Sequence, residues 1–551
     1  MTKPGRKVKR PRNSYWRASP RQVYVLVAGL LLSGSIRSGA DTTEESPVVF
    51  SFPRSEMVFD VPEEHAPDQD TPLSLFLPQT NRAVSASWPP PTDRITREVE
   101  GLWSMTLSAG VEGMGFTWLD VATHGRDGAS PPGPAGEAPN FADSFGIGFD
   151  ASNPPSDDPF NQWGNIYSRP EHEISLHWDG MELVKRTTVT DFRDGTKHLG
   201  RFLIEYVVGG AAVSVWVDEE AVFDRFFVPG MQPYIGRPCF VGHRGDQEGA
   251  ITLDPLRMEC RAFIPAPEPP ITVKAIDRHL NDHQHPETKV DAQFPEDTAP
   301  FGRIILTLRL DKPETRFDPW DRTGQIYVYD EEGERYELLR YITPYGRGHV
   351  WRVDVTDFSP LLCGTRTLEQ ACNTQGEGWV VTVQFDFYPG PVERQAYKVV
   401  NLWSGSPVIG NPEKPVRDFY VTRQVPIDPS CSGARVRMVV TGHGMAPNSN
   451  SAGEFMPIDR TLTMNGKSYS NRLWKDDNYL NPCRPQGGTW KYSRAGWAPG
   501  DVVRPWTVDL SGPWTNRTLT VGYELAPYTN ENRGQTWEPI HRTEAQVILY
   551  R

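Results

Sequence analysis

The sequence predicts an all-β chain assembled from several antiparallel sandwiches, and three observations carry that expectation. Its 551 residues include 51 prolines, 48 glycines and 11% aromatic residues. No long stretch repeats apolar residues at helical spacing. Short alternating or continuous apolar runs recur instead between Gly/Pro turns, as strands do. The length suits about three or four domains.

In chain order, residues 1–40 read as a secretory signal. Eight basic residues precede the apolar run VYVLVAGLLL at 23–32, and Ser38-Gly39-Ala40 follows. Ten apolar residues are about half of what spans a bilayer, so an uncleaved anchor is the alternative. Cleavage would leave 70 acids against 48 bases. That balance argues against nucleic acid, or stable membrane association, as a partner. The expected location is secreted or periplasmic. Six cysteines in an exported chain suggest disulfides, with Cys363–Cys372, Cys239–Cys260 and, by elimination, Cys431–Cys483 as pairs.

Residues 41–94 are acidic and Pro-rich and read as a lead-in. From 95 to 264 strand follows strand, and Gly209-Gly210 between IEYVV and AVSVWVD marks a hairpin. FGIGFD at 145–150 and VFDRFFVPG at 222–230 make this part resemble the legume-lectin and laminin-G sandwiches, a concanavalin A-like fold. In the loop 150–165, Asp150, Asn153, Asp157, Asp158 and Asn161 supply oxygens suited to a structural Ca²⁺; the same residue types also make an ordinary turn.

Pro-rich linkers at 265–271 and 410–418 bound two further strand series, 272–410 and 411–551. Three runs in them carry chemistry. RFDPWDRTGQIYVYD at 316–330 presents Asp321, GHGMAPNSNSAGEF at 442–455 presents Glu454, and QGGTWKYSRAGWAPG at 486–500 presents Arg494 beside Trp490 and Trp497. Carboxylates for proton transfer, a guanidinium and flat aromatic faces suit a hydrolase that handles sugars.

These runs resemble the peptide-N-glycosidase F family, through PWDR (319–322), YITPYG (341–346), VDVTDF (353–358), AGEF (452–455) and SRAGWAPG (493–500), in the right order. The resemblance implies two adjacent eight-stranded antiparallel jelly rolls, which would follow the N-terminal concanavalin A-like β-sandwich expected from the first resemblance. It also implies hydrolysis of the GlcNAc–Asn amide of N-linked glycoproteins or glycopeptides, without metal or cofactor. Asp321 and Glu454 then fall on catalytic positions. Trp320, Arg322, Asp318, His443, Arg494 and Trp497 fall on substrate-binding ones.

The chain also departs from that pattern. A further family glutamate would land near Cys372 or Asn373, leaving Glu369 or Glu377 to substitute. Family cysteines are replaced by Ala452, Met456 and Ala498, and a Trp and a His become His443 and Met445. Two other readings therefore stand beside the amidase. One is a non-catalytic extracellular binder of glycans or glycoproteins. The other is a copper monooxygenase using His279, His283, His285, His443 and Met445. GxSxG, HExxH, P-loop and GxGxxG signatures are absent from the sequence.

Overall fold

A computed structural model describes residues 46–551 except 61–72, 78–83, 130–136, 152–171, 245–248, 445–452, 513, 515–516 and 531–537. The expected signal at 1–40 lies outside the described residues, as do Asn153, Asp157, Asp158, Asn161 and Met445. Among the described residues no helix is long and apolar enough to cross a membrane.

The first sandwich pairs two seven-stranded antiparallel sheets. One contains Thr96–Leu107, His198–Val207, Gly210–Val217, Glu220–Pro229 and Gly249–Phe263; the other contains Val111–Asp120, Phe145–Asp150, Glu173–Trp178, Met181–Thr187 and Gly236–Arg244. Inward-facing aromatics join them. Trp103 of one sheet stacks on Phe116 of the other at 5.6 Å and meets Phe149 and Phe240 edge-on. Gly200 makes room for that indole, because a Cβ there would lie 2.5 Å from it.

Two details differ from the sequence reading. The stretch read as a lead-in supplies four short strands to these sheets, Val48–Phe50, Val58–Asp60, Leu73–Leu77 and Val84–Ser87. Strands of three to five residues are too short for alternation to show. The hairpin is present, but its turn is Val208-Gly209, with Gly209 at φ +70° and Gly210 already paired to Val207. The left-handed position takes one glycine and the strand takes the other.

The remaining chain forms two sandwiches with the same topology. Numbering the eight strands of each in order, one sheet runs 1-8-3-6 and the other 2-7-4-5, which is the jelly-roll arrangement. In the first, Ile271–Asn281, Trp379–Pro389, Phe301–Asp311 and His349–Asp354 face Glu287–Gln293, Thr365–Cys372, Thr323–Tyr329 and Arg335–Ile342. In the second, Ala396–Gly405, Ile540–Tyr550, Gly433–His443 and Trp506–Ser511 face Arg423–Pro426, Thr518–Leu525, Ile458–Met464 and Lys467–Leu473.

The rolls are fastened along Arg335–Ile342 and Gly433–His443. Buried Arg340 donates to the carbonyl of Arg542 at 2.6 Å and to Thr441 at 3.1 Å, while its Nη2 holds Glu337 at 2.9 Å. Buried Arg437 returns the contact, reaching the carbonyl of Leu338 at 3.0 Å. The core of the first roll also includes Ile548 and Tyr550, on the last strand of the second.

The expected disulfides are not formed. On the strand Gly236–Arg244, Phe240 faces the main core; Cys239 faces the other way, in a small cluster with Leu119, Phe141 and Val241. Cys260 faces the main core, so the two point to opposite sides of a sheet. Cys363 and Cys372 are separated by the extended strand Thr365–Cys372, which holds its ends apart instead of closing a loop. Cys431 precedes the strand Gly433–His443, whereas Cys483 packs beside Gly500 in the loop region that follows the other end.

Candidate active site

The strands Arg335–Ile342 and Gly433–His443 run side by side and open into loops at the same end of the paired rolls. The loop 318–322, which leads into Thr323–Tyr329, joins them there. Its backbone is held by Thr343, whose hydroxyl accepts from Arg322 N at 2.7 Å and donates to the Trp320 carbonyl at 3.0 Å. Beneath it Asp318 accepts from Trp320 N at 2.8 Å and from the Thr374 hydroxyl. These bonds point Asp321 outward, with its side chain 18% exposed.

Glu454 arrives from the second roll. Its carbonyl accepts from Ala495 N at 2.8 Å, and Gly442 N donates to the Ala495 carbonyl at 2.9 Å. Gly442 and Gly453 let these backbones touch: a Cβ on Gly442 would lie 2.0 Å from the Gly453 carbonyl oxygen, and Gly453 sits at φ +91°.

Arg494 unites the two acids. Its side chain is fully buried; Nε reaches Glu454 Oε1 at 3.0 Å and Nη2 lies 3.8 Å from Asp321 Oδ2. The guanidinium is itself fixed, donating to the Thr489 and Tyr492 carbonyls at 2.8 and 3.0 Å and to Thr489 Oγ1 at 2.7 Å. It lies 4.7 Å from the Trp497 ring centre and 5.2 Å from that of Phe455. Tyr345, which the sequence reading passed over, donates to Asp321 Oδ2 at 2.7 Å. A lone tyrosine in a turn carries no signal of its own; its place in YITPYG was the available clue.

Burial pushes the Asp321 carboxyl above the ordinary range, against the pull of Arg494 and the Tyr345 hydrogen bond. Glu454 is raised too, by burial first and by Asp321, while Arg494 opposes. Burial raises the Tyr345 hydroxyl, and Asp321 raises it further. Two partly exposed acids on a shared cation, one of them holding a hydrogen bond from a phenol, can accept and return a proton.

The other expected site residues divide. Trp320 is 59% exposed beside Asp321 and offers a free aromatic face. Arg322 is half-buried, 3.6 Å from Asp318. Three residues expected to touch substrate, Asp318, Arg494 and Trp497, have almost no surface for it. Asp318 is 1% exposed and works as the clamp under Trp320, and Trp497 is 2% exposed, donating to the Gly442 carbonyl at 2.8 Å. His443 is half-buried and stacks on Trp497 at 5.3 Å; desolvation and then nearby Arg542 and Arg340 hold its imidazole neutral. Large aromatics near a site fill the wall as readily as they line the cleft.

Neither substitute glutamate is bonded to this group. Glu369 is caged by Tyr329, Lys289 and Arg335, and Glu377 holds Arg316 at 3.2 Å. Asp150 lies with Lys185 and Arg484 at 3.7 and 3.6 Å, cations standing where a Ca²⁺ ligand would need an open side. The His279 and His285 rings are 6.4 Å apart, and His285 is tied to Asp282 at 2.9 Å.

Residues 414–538 match the family model "Peptide-N-glycosidase F, C terminal". Over 253 residues the chain is 28% identical to peptide-N(4)-(N-acetyl-beta-D-glucosaminyl)asparagine amidase F of Elizabethkingia miricola, covering 43% of this chain and 71% of that protein. A crystal structure of a peptide-N(4)-(N-acetyl-beta-D-glucosaminyl)asparagine amidase aligns with 51% of this chain and 96% of its own at 23% identity and a TM-score of 0.47. The structure of PNGF-II aligns with 82% of this chain and 98% of its own at 12% identity and a TM-score of 0.42. Over its C-terminal half the chain is thus similar to the peptide-N-glycosidase F family.

Proposed function

We propose that this protein is a secreted or periplasmic amidohydrolase that cleaves the GlcNAc–Asn amide of N-linked glycoproteins or glycopeptides. The observation that carries the reading is the single buried guanidinium of Arg494 reaching both Glu454 and Asp321, with the exposed ring of Trp320 next to Asp321 in the chain. Asp321 takes a proton from water as the oxygen attacks the side-chain carbonyl carbon. The tetrahedral centre collapses with cleavage of the C–N bond, and the proton held on Asp321 passes to the departing nitrogen. Asn becomes Asp, and the glycan leaves as a glycosylamine that then loses ammonia. Tyr345 orients Asp321. Glu454 holds the water or the core sugar, and Arg494 keeps both carboxylates in register. Trp320 is a platform for a sugar face, and Arg322 lies at the rim beside it.

The test is incubation with a denatured N-glycoprotein, with and without EDTA. Release of glycan in both arms, lost in Asp321→Asn, supports the reading. The second reading is a binder that retains sugar without releasing it. It is favoured by Cys372 standing near the position of a family carboxylate, buried, with its thiol pushed up to about 12 by burial. Loss of activity with EDTA alone would point to the copper chemistry instead.

A further inference from the structure

Arg484 leaves the second jelly roll and enters the first sandwich. Its Nη2 lies 2.9 Å from Glu173 Oε2 and 3.6 Å from Asp150 Oδ2, on side chains only 0% and 6% exposed. Lys185 shares the same carboxylates at 3.3 and 3.7 Å and adds Glu182 at 3.5 Å. Carboxylates this deep are stable as anions only beside cations, so Arg484 is held firmly.

From that anchor the chain runs to the site, and several of its next contacts lead to Tyr345 and Arg494, the groups holding the two acids. The Pro485 carbonyl accepts from Arg347 at 2.8 Å. Gln486 Oε1 accepts from Tyr345 N at 3.1 Å, while its Nε2 ties the segment to the Pro499 carbonyl at 2.8 Å. At Gly488 a Cβ would come 2.7 Å from the Tyr345 ring, so the backbone lies directly against it. Thr489 Oγ1 sits 3.3 Å from the Tyr345 hydroxyl and accepts from Arg494 Nη2 at 2.7 Å. Residues 484–494 thus form a strap with one end in the first sandwich and the other on Tyr345 and Arg494.

We propose that Arg484 is a positioning residue, and that the first sandwich is a working part of the site because its Asp150–Glu173 pocket anchors this strap. The inference rests on the amidase reading for its kinetic arm.

The experiment uses the full chain with Arg484→Met, Arg484→Lys and the milder Glu173→Gln. It combines steady-state kinetics on an N-glycopeptide with hydrogen exchange of peptides covering 341–346 and 484–494. In Arg484→Met, kcat should fall about 10- to 100-fold with KM within about twofold, the scale of a small misplacement of catalytic groups. Exchange in both segments should quicken about tenfold, and Arg484→Lys should recover most of both changes. Glu173→Gln should move kcat and exchange the same way by less, and it decides the matter if Arg484→Met does not fold. Unchanged kcat and exchange, or a rise in KM at constant kcat, would overturn the proposal, the latter by making the sandwich a substrate anchor. If the wild-type protein releases no glycan, the amidase reading fails while the exchange arm still judges the strap.

Discussion

Tyr345 donates its phenolic proton to Asp321 across 2.7 Å, from the turn that follows the strand joining the two rolls. Burial alone would leave Asp321 further above the carboxylate range than it is; this hydrogen bond and Arg494 bring it part of the way back. The pair therefore sets where in pH the proposed base is usable.

Tyr345→Phe should move the acidic limb of the kcat/KM profile to higher pH. The sign follows from the linkage. Asp321 acts as its anion, which is present above its raised pKa and lost as pH falls through it; removing the phenol raises that pKa further. At neutral pH we expect about a tenfold loss in kcat. A profile that stays in place, or moves to lower pH, would show that Tyr345 does not tune Asp321.

Asp321→Asn should lower glycan release by about 10²- to 10⁴-fold, the range for removing a general base. Glu454→Gln should cost less, because an amide oxygen can still accept from Arg494. Circular dichroism should be unchanged for both, since each side chain is partly exposed. Equal losses in the two variants would contradict the division of roles.

Two tryptophans should behave oppositely. Trp497→Ala removes a fully packed indole and should cost about 3–5 kcal/mol of stability. Trp320→Ala should leave stability within about 0.5 kcal/mol and raise KM about three- to tenfold. Denaturant midpoints and glycopeptide kinetics separate the cases; a destabilised Trp320→Ala would place that ring in the fold instead of the cleft.

His541 gives a stability prediction. It is 1% exposed, and burial, assisted by Arg460, lowers its pKa to about 3. The unfolded chain, with an ordinary value near 6.5, therefore binds the extra proton between those limits. Stability is fully present above about pH 6.5 and is lost as pH falls toward 3, at up to about 1.4 kcal/mol per pH unit. Guanidinium midpoints at pH 4, 5, 6 and 7 should show this slope, and His541→Leu should flatten it. An identical slope in both proteins would assign the pH dependence elsewhere.

Much of this architecture was legible because eight-stranded rolls are written in strands long enough to alternate, such as Phe301–Asp311 and Gly433–His443. The short strands before residue 90 were not, since three residues show no period. At the site, Asp321, Glu454 and Arg494 stood in motifs that the fold gathers together. The side on which Trp497 would face could not be read from its neighbours, because burial there depends on the Gly442 carbonyl 55 positions away. Cysteine spacing misled for a related reason. Cys363 and Cys372 are near in sequence, but an intervening strand converts sequence proximity into distance.

The presence of Ile548 and Tyr550 in the core built by residues 276–399 bears on biosynthesis. Elongating from the N-terminus, a ribosome would finish every strand of the first roll long before the side chains that seal its interior exist. That roll would wait, incompletely closed, for the strand Ile540–Tyr550 to arrive.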